Sequence, residues 1–416
     1  MKIRTIIHEP TETVKERKND ISKESFLKDS IYHPFMLERE YVRSLNYTKL
    51  ERLLSKPFVA ALSWHPEGIY SLKRDGDRFM TASFDGTVIV WNMAERDMVL
   101  RRKFEFTPVI SFCQSDMLIG GNGVLTRHRC DETLTPIIKY KTEKQINFVD
   151  YAHEQIFTTT KDGCLIYDPE RITYKQKYGD EEFLCAKYSN VLQHILGCAG
   201  RQDVVLVDDR ARCEFARFKS GIRTMDLCFN PVNGSYLATA NEDSNCYLYD
   251  MRYLGDNPKP IRRWINHVNS VVSIDYRSNG TEITTGSFDK TVRIYNETGC
   301  KDVYYSKRMG NVNGVKYSED GKFIISASDD GSIRLWRSDG SERSGPKDRR
   351  EEEAIKYASA VRDKFADLPE IRRISKHRFL PKKLKNDIRR ECEKHQASIR
   401  KKERIKQNNK KKQTTI

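Results

Sequence analysis

Nowhere in the 416 residues does a Cys-x-x-Cys occur. The ten cysteines stand singly, and the nearest two, Cys185 and Cys198, are 13 positions apart. That spacing excludes the common zinc-finger and redox motifs. Several thiols sit in apolar runs (Cys164, Cys228, Cys246), where sulfur acts as a small hydrophobe. A reducing compartment is therefore expected. No GxxxxGK, HExxH or GxSxG is present, and the nine His are dispersed without metal-ligand spacing. These absences argue against an enzyme and against a metal or other cofactor. No run of about 18 apolar residues is available to cross a membrane. The opening MKIRTIIHEPTETVKERKND turns polar too early for a signal-peptide core. The expectation is a soluble intracellular chain, in cytosol or nucleus, with no small-molecule substrate.

Charge is plentiful but unevenly placed. Charged residues make up 32% of the chain, above the roughly 25% of an ordinary domain. Residues 341–416 hold 25 Lys and Arg against 12 Asp and Glu, a balance of +13. The net charge is +15, so the first 340 residues carry only +2. A near-neutral body with a basic tail points to a polyanionic partner, with nucleic acid the usual candidate.

The body is repetitive. SFDGTVIVWN (83–92) returns as NEDSNCYLYD (241–250), SFDKTVRIYN (287–296) and SDDGSIRLWR (328–337). Weaker copies are TTKDGCLIYD (159–168), GRQDVVLVDD (200–209) and IGGNGVLTRH (119–128). The positions equivalent to the aromatic are Trp91, Arg127, Tyr167, Val207, Tyr249, Tyr295 and Trp336, spaced by 36, 40, 40, 42, 46 and 41. A period near 40 with alternating, β-branched and aromatic strands indicates propeller blades of four strands. Seven copies predict seven blades over 57–338. No outer strand follows Trp336, whereas PFVAALSWH precedes the first full copy. Residues 58–63 are therefore expected to complete the last blade and close the ring.

This pattern resembles the WD-repeat family over about 280 residues. The resemblance implies a hydrogen-bonded tether of His, Ser or Thr, turn Asp and aromatic in each blade. By position the sets are His65, Ser83, Asp85 and Trp91, then His267, Ser287, Asp289 and Tyr295. The last copy keeps Ser328, Asp330 and Trp336 without a His. A buried Asp is costly unless donors surround it, so these residues are read as structural and not as a catalytic triad.

The flanks read as helices. In 31–56, Pro34 suits a first helical position, and Thr48 with Glu51 forms a capping box ahead of an apolar run. Residues 1–30 are polar, and flexibility unless bound is expected there. Beyond residue 348, apolar residues at 354, 358, 361, 365 and 368 make a helical stripe. A short segment opens at Pro369, and 382–406 reads as a strongly basic helix with a thin apolar side of Leu384, Ile388, Cys392 and Ile399. Such a helix gains little from a core and more from phosphates. The candidate nucleic-acid-binding residues, RNA-binding once the family resemblance below is added, are Arg372, Arg373, Lys376, Arg378, Lys382, Lys383 and Lys385, with 400–412 a weaker cluster; the alternative is a solvated charged helix or a nuclear-import signal. Aromatics are sparse in this region, which favours backbone contact over base stacking.

HPFMLEREYVRSLNYTKLERLLSKPFV, ATANEDSNCYLYDMRYL, GSFDKTVRIY and LPEIRRISKHRFLPKKLK are similar to the Sof family of nucleolar WD-repeat proteins over nearly the whole chain. The resemblance implies an N-terminal lead over 1–56, a propeller over 57–338 and a basic helical domain over 339–416. It further implies a scaffold of the small-subunit processome in the nucleolus. The partners would be pre-ribosomal RNA, the U3 ribonucleoprotein and other processome proteins. Animal relatives in such families serve a cullin-type ubiquitin ligase as substrate receptors, docking an adaptor through Asp-x-Arg after a blade aromatic. Asp250 and Arg252 fit that motif after Tyr249, and Asp208 and Arg210 fit it after Val207.

Overall fold

The computed structural model describes residues 35–114, 116–130, 135–142, 144–255, 258–297, 299–341 and 348–414. Pro34 and residues 1–30 lie outside that set. The chain forms two compact units, Met1–Phe58 with Asp339–Arg378, and Val59–Ser338 with Phe379–Ile416. The basic extension, read from sequence as one domain, is thus shared between them.

The second unit is built on seven four-stranded sheets, a seven-bladed β-propeller. Blades one to six take their strands consecutively from 69–103, 109–141, 146–178, 183–219, 224–265 and 271–304. Blade seven pairs Val312–Tyr317, Phe323–Ser328 and Ile333–Arg337 with Phe58–Leu62 as its outermost strand. Both ends of the repeat region therefore share one sheet. The middle strands are almost wholly buried, whereas the innermost strands mix buried and half-buried positions. Outer strands face water and carry cations, such as Arg101, Arg102 and Lys103 in Asp97–Lys103. Charges on these edges discourage pairing with another chain.

The turns follow from residue type. Asp85, Asp289 and Asp330 each accept the backbone N–H two residues on, from Thr87 (2.9 Å), Thr291 (3.0 Å) and Ser332 (3.1 Å). Gly331 follows at φ +75°, and a Cβ there would meet the His65 carbonyl oxygen at 2.6 Å.

The tether differs from the sequence reading in its hydroxyl. Trp91 Nε1 donates to Thr81 Oγ1 (2.8 Å), and His65 Nε2 bonds the same oxygen (2.8 Å). Trp336 Nε1 likewise donates to Ser326 Oγ (2.8 Å), and His267 Nε2 bonds Thr285 Oγ1 (2.7 Å). Thr81, Thr285 and Ser326 thus take the place assigned to Ser83, Ser287 and Ser328. Residues two apart on a strand share a face, so sequence spacing alone does not separate them. Ser287 and Ser328 hold the turns instead. Ser287 Oγ accepts from the Asp289 N–H (3.1 Å), and Ser328 Oγ donates to Asp330 (2.5 Å). His267 meets Asp289 directly at 2.8 Å, whereas His65 reaches Asp85 through the Thr87 hydroxyl. In blade seven Arg334 replaces the His, 2.5 Å from Asp330. Tyr295, standing for Trp, packs against Trp264 at 5.7 Å, and its hydroxyl has no partner among the described residues.

In blade two the aromatic position belongs to His128, not Arg127. His128 pairs across the strands with Met117, as Trp91 pairs with Phe79. Arg127 faces the other side and binds Asp116 at 2.7 Å.

The seven innermost strands enclose a network of opposite charges that the repeat pattern does not announce. Lys73 meets Asp150 (2.7 Å), Lys187 meets Asp226 (2.7 Å) and Lys316 meets Asp275 (2.6 Å). Burial alone would raise the Asp150 and Asp226 carboxyls, but Lys73 and Lys187 hold them below the usual range. Ser111 Oγ and the Ile274 N–H donate to the same two aspartates. The pairs join blades one to three, four to five and six to seven.

The first unit packs helix α1 (Met36–Arg52) with α2 (Arg349–Lys364) and α3 (Pro369–Ser375). Its apolar anchors are Val361 and Ile371. Polar contacts dominate the rest. Buried Glu40 pairs with Lys364, Arg362 grips both oxygens of Glu51 (2.9 and 3.0 Å), and Tyr41 donates to Glu370. Thr48 is not a cap, because α1 runs through it unbroken. Its hydroxyl donates to the Ser44 carbonyl at 2.8 Å, the usual fate of a threonine inside a helix.

Two measurable consequences follow from closure and from the tether. Deleting residues 1–63 while keeping His65 strips the outer strand from Ile333–Arg337, and aggregation during size-exclusion chromatography is expected. A chain of residues 57–338, which keeps that strand and omits both flanks, should remain monodisperse. Burial lowers His65 to about 4 and lowers His267 as well, so both resist protonation in the folded state. The unfolded chain, with histidines near 6.5, binds more protons below that pH. Stability should fall from pH 6.5 toward 4, by at most about 1.4 kcal/mol per pH unit for each histidine. Urea titrations across this range test it, and His65→Asn should flatten the slope.

Candidate nucleic-acid interface

Helix α4 (Lys382–Thr414) leaves the second unit as a long basic rod. Its first half is not free in solution. Leu384, Asp387, Ile388, Glu391, Cys392 and His395 are half-buried at helical spacing. His395 is lowered by burial, and Arg263 on the outer strand of blade five adds to the effect. The thin apolar side read from sequence is thus the seated side as far as Cys392, while Ile399 is exposed.

The cations of α4 fall into two groups. Arg389 pairs with Glu393 (2.9 Å), Arg390 with Asp387 (3.6 Å) and Lys394 with Glu391 (2.6 Å), so the helix's own acids partly neutralise them. Lys382, Lys383 and Lys385 are exposed and have no carboxylate partner among the described residues. The first unit repeats this arrangement on α3. Arg372, Arg373 and Lys376 are exposed and likewise unpaired among the described residues. Arg378 differs, being half-buried with its guanidinium on the carbonyls of Ser375 (2.8 Å) and His377 (2.9 Å). A cation there also suits the negative end of α3.

The seven candidates therefore divide between two units, four on one and three on the other. Six present an uncompensated charge to water, and one closes a helix end. Chemically, such ammonium and guanidinium groups bind phosphate oxygens and displace condensed counterions. Nothing in their setting reads base edges.

The Asp-x-Arg residues lie elsewhere on the second unit. Asp250 is buried, caps the 3-10 turn Met251–Tyr253 through the Arg252 N–H, and binds the Arg252 guanidinium at 2.7 Å. Arg252 is exposed, and Tyr253 beside it is 78% exposed. Arg210 is exposed and held more loosely, 3.5 Å from Asp208. Arg252 and Tyr253 make an accessible cation and ring of the kind a partner protein grips.

The chain is similar to known proteins. A Sof1-like domain is recognised over residues 338–416, and WD domain G-beta repeats over 56–92, 258–296 and 300–337. The chain is 32% identical to Protein SOF1 of Saccharomyces cerevisiae, across 92% of this chain and 87% of that one. It is 32% identical to DDB1- and CUL4-associated factor 13 of Danio rerio, across 99% and 96%. The Xenopus tropicalis counterpart is 31% identical, across 94% and 91%. The crystal structure of the WD40 β-propeller domain of Doa1 superposes with a TM-score of 0.59 at 17% identity, covering 68% of this chain and 98% of that one, a likeness of fold. With its propeller, its basic C-terminal helices and this extent of similarity, the chain belongs to the Sof1-like family of WD-repeat proteins.

Proposed function

We propose that this protein is a non-enzymatic scaffold of the small-subunit processome in the nucleolus, where it supports processing of small-subunit pre-ribosomal RNA. The propeller offers rigid faces to other processome proteins, including those of the U3 ribonucleoprotein. The C-terminal helices lie along RNA phosphates. The observation that carries this reading is the set of six exposed cations at 372, 373, 376, 382, 383 and 385, unpaired among the described residues, beside a body that is nearly neutral. Similarity to Protein SOF1 over most of the chain supports it.

Replacing those six residues with Gln, and leaving Arg378 to close α3, should preserve the melting temperature. Co-sedimentation with large pre-ribosomal particles should fall. For purified protein on single-stranded RNA, the log–log salt slope should shrink by about 0.7 for every phosphate no longer neutralised. Unchanged sedimentation and slope would remove the helices from the RNA.

A second reading rests on Arg252 and Tyr253. The names of the animal relatives associate those proteins with DDB1 and CUL4. A receptor docking an adaptor here would lose the adaptor in pull-downs on Arg252→Ala. Under the processome reading the same substitution leaves particle association intact, because Arg252 is exposed and its side chain meets only its own Asp250 and Tyr253 among the described residues.

A further inference from the structure

Blade three carries a cleft of about 340 Å³ lined by Lys141, Lys144, Thr160, Asp162, Leu165, Thr173, Tyr174 and Lys177. It opens where the outer strand of blade two, Pro136–Lys141, meets the loop before Gln176–Tyr178, with the Lys141 N–H bonded to the Ile172 carbonyl at 2.9 Å. The loop holds Tyr174, a residue 54% exposed, edge-on to buried Tyr167 at 6.4 Å. One side of the ring is thereby supported while much of it stays open to water.

The charges here are unequal in kind. Lys144 is paired with Asp162, and Lys177 with Asp180 at 2.7 Å. Asp180 is 91% exposed, so that pair is held in high dielectric and exchanges readily for another anion. Lys141 has no ion-pair partner among the described residues, and the same holds for Lys139 and Lys161 nearby on these two blades. The cleft lining itself carries three lysines, Lys141, Lys144 and Lys177, against one acid, Asp162.

We propose that this cleft binds one nucleotide of a single-stranded RNA. Tyr174 stacks on the base, Lys141 and Lys177 take the flanking phosphates, and the Thr173 hydroxyl is available to the sugar. An aromatic face beside phosphate-binding lysines is the arrangement single-stranded nucleic acid requires. A duplex has no free base face to offer and is not accepted. The site is separate from α3 and α4. It shares only the RNA partner with the proposed function.

The test uses the full chain and a short thiouridine-substituted oligouridylate, photo-crosslinked and mapped by mass spectrometry. Crosslinks are expected at 173–177, and they persist when the six tail cations are Gln. Tyr174→Ala should weaken binding in that background by about fivefold or more, the loss of one base stack, while Tyr174→Phe retains it. Lys141→Gln with Lys177→Gln should weaken it while leaving the melting temperature unchanged, since both side chains are at the surface. Crosslinks confined to other segments, equal competition by duplex RNA, or indifference to Tyr174→Ala would overturn the proposal. Loss on Tyr174→Ala together with no effect of the tail substitutions would keep the cleft and remove the tail from the RNA.

Discussion

Everything in the propeller depends on the pairing of Phe58–Leu62 with Ile333–Arg337. A ring of separate sheets keeps only short, protected edges, and here the strand that fastens the ring comes from the other end of the repeat region. The seven blades therefore stand or fall together. Their inner strands converge on an axis where three lysines face three aspartates, each pair within 2.7 Å. Burying these ions is costly in itself. Their balance of sign and their added hydrogen bonds let the axis be filled with charge and still remain neutral.

Much of this is legible in the sequence because a blade repeats its chemistry. The Asp turn, the alternating strand and the aromatic recur at Trp91, Tyr295 and Trp336, and they mark strand positions well. The tether hydroxyl falls two residues from where spacing puts it, since Thr81 and Ser83 point the same way on one strand. Blade two is offset by one, because neither Arg127 nor His128 looks like a Trp. The axial ions are not legible, because Lys73 and Asp150 are neighbours only after the ring closes. Nor is α1 readable as a simple apolar stripe: Glu40, Ser44 and Thr48 are buried, while Leu50 and, just past the helix, Leu54 are exposed.

The flanks are held together differently. In the first unit ions take the place of a core, with Glu40 and Glu51 matched to Lys364 and Arg362. In α4 the helix's own acids quiet Arg389, Arg390 and Lys394, and leave Lys382, Lys383 and Lys385 unopposed among the described residues. Such cations gain most where a polyanion supplies the partner. In the proposed scaffold the near-neutral ring would hold proteins and the basic helices would hold phosphate.

Crosslinking the protein to RNA in living cells, followed by sequencing of the attached RNA, tests this account most directly. The account predicts reads concentrated in the precursor of small-subunit ribosomal RNA and in the RNA that guides its processing. Reads spread in proportion to cellular RNA abundance, or no recovered RNA at all, would contradict it.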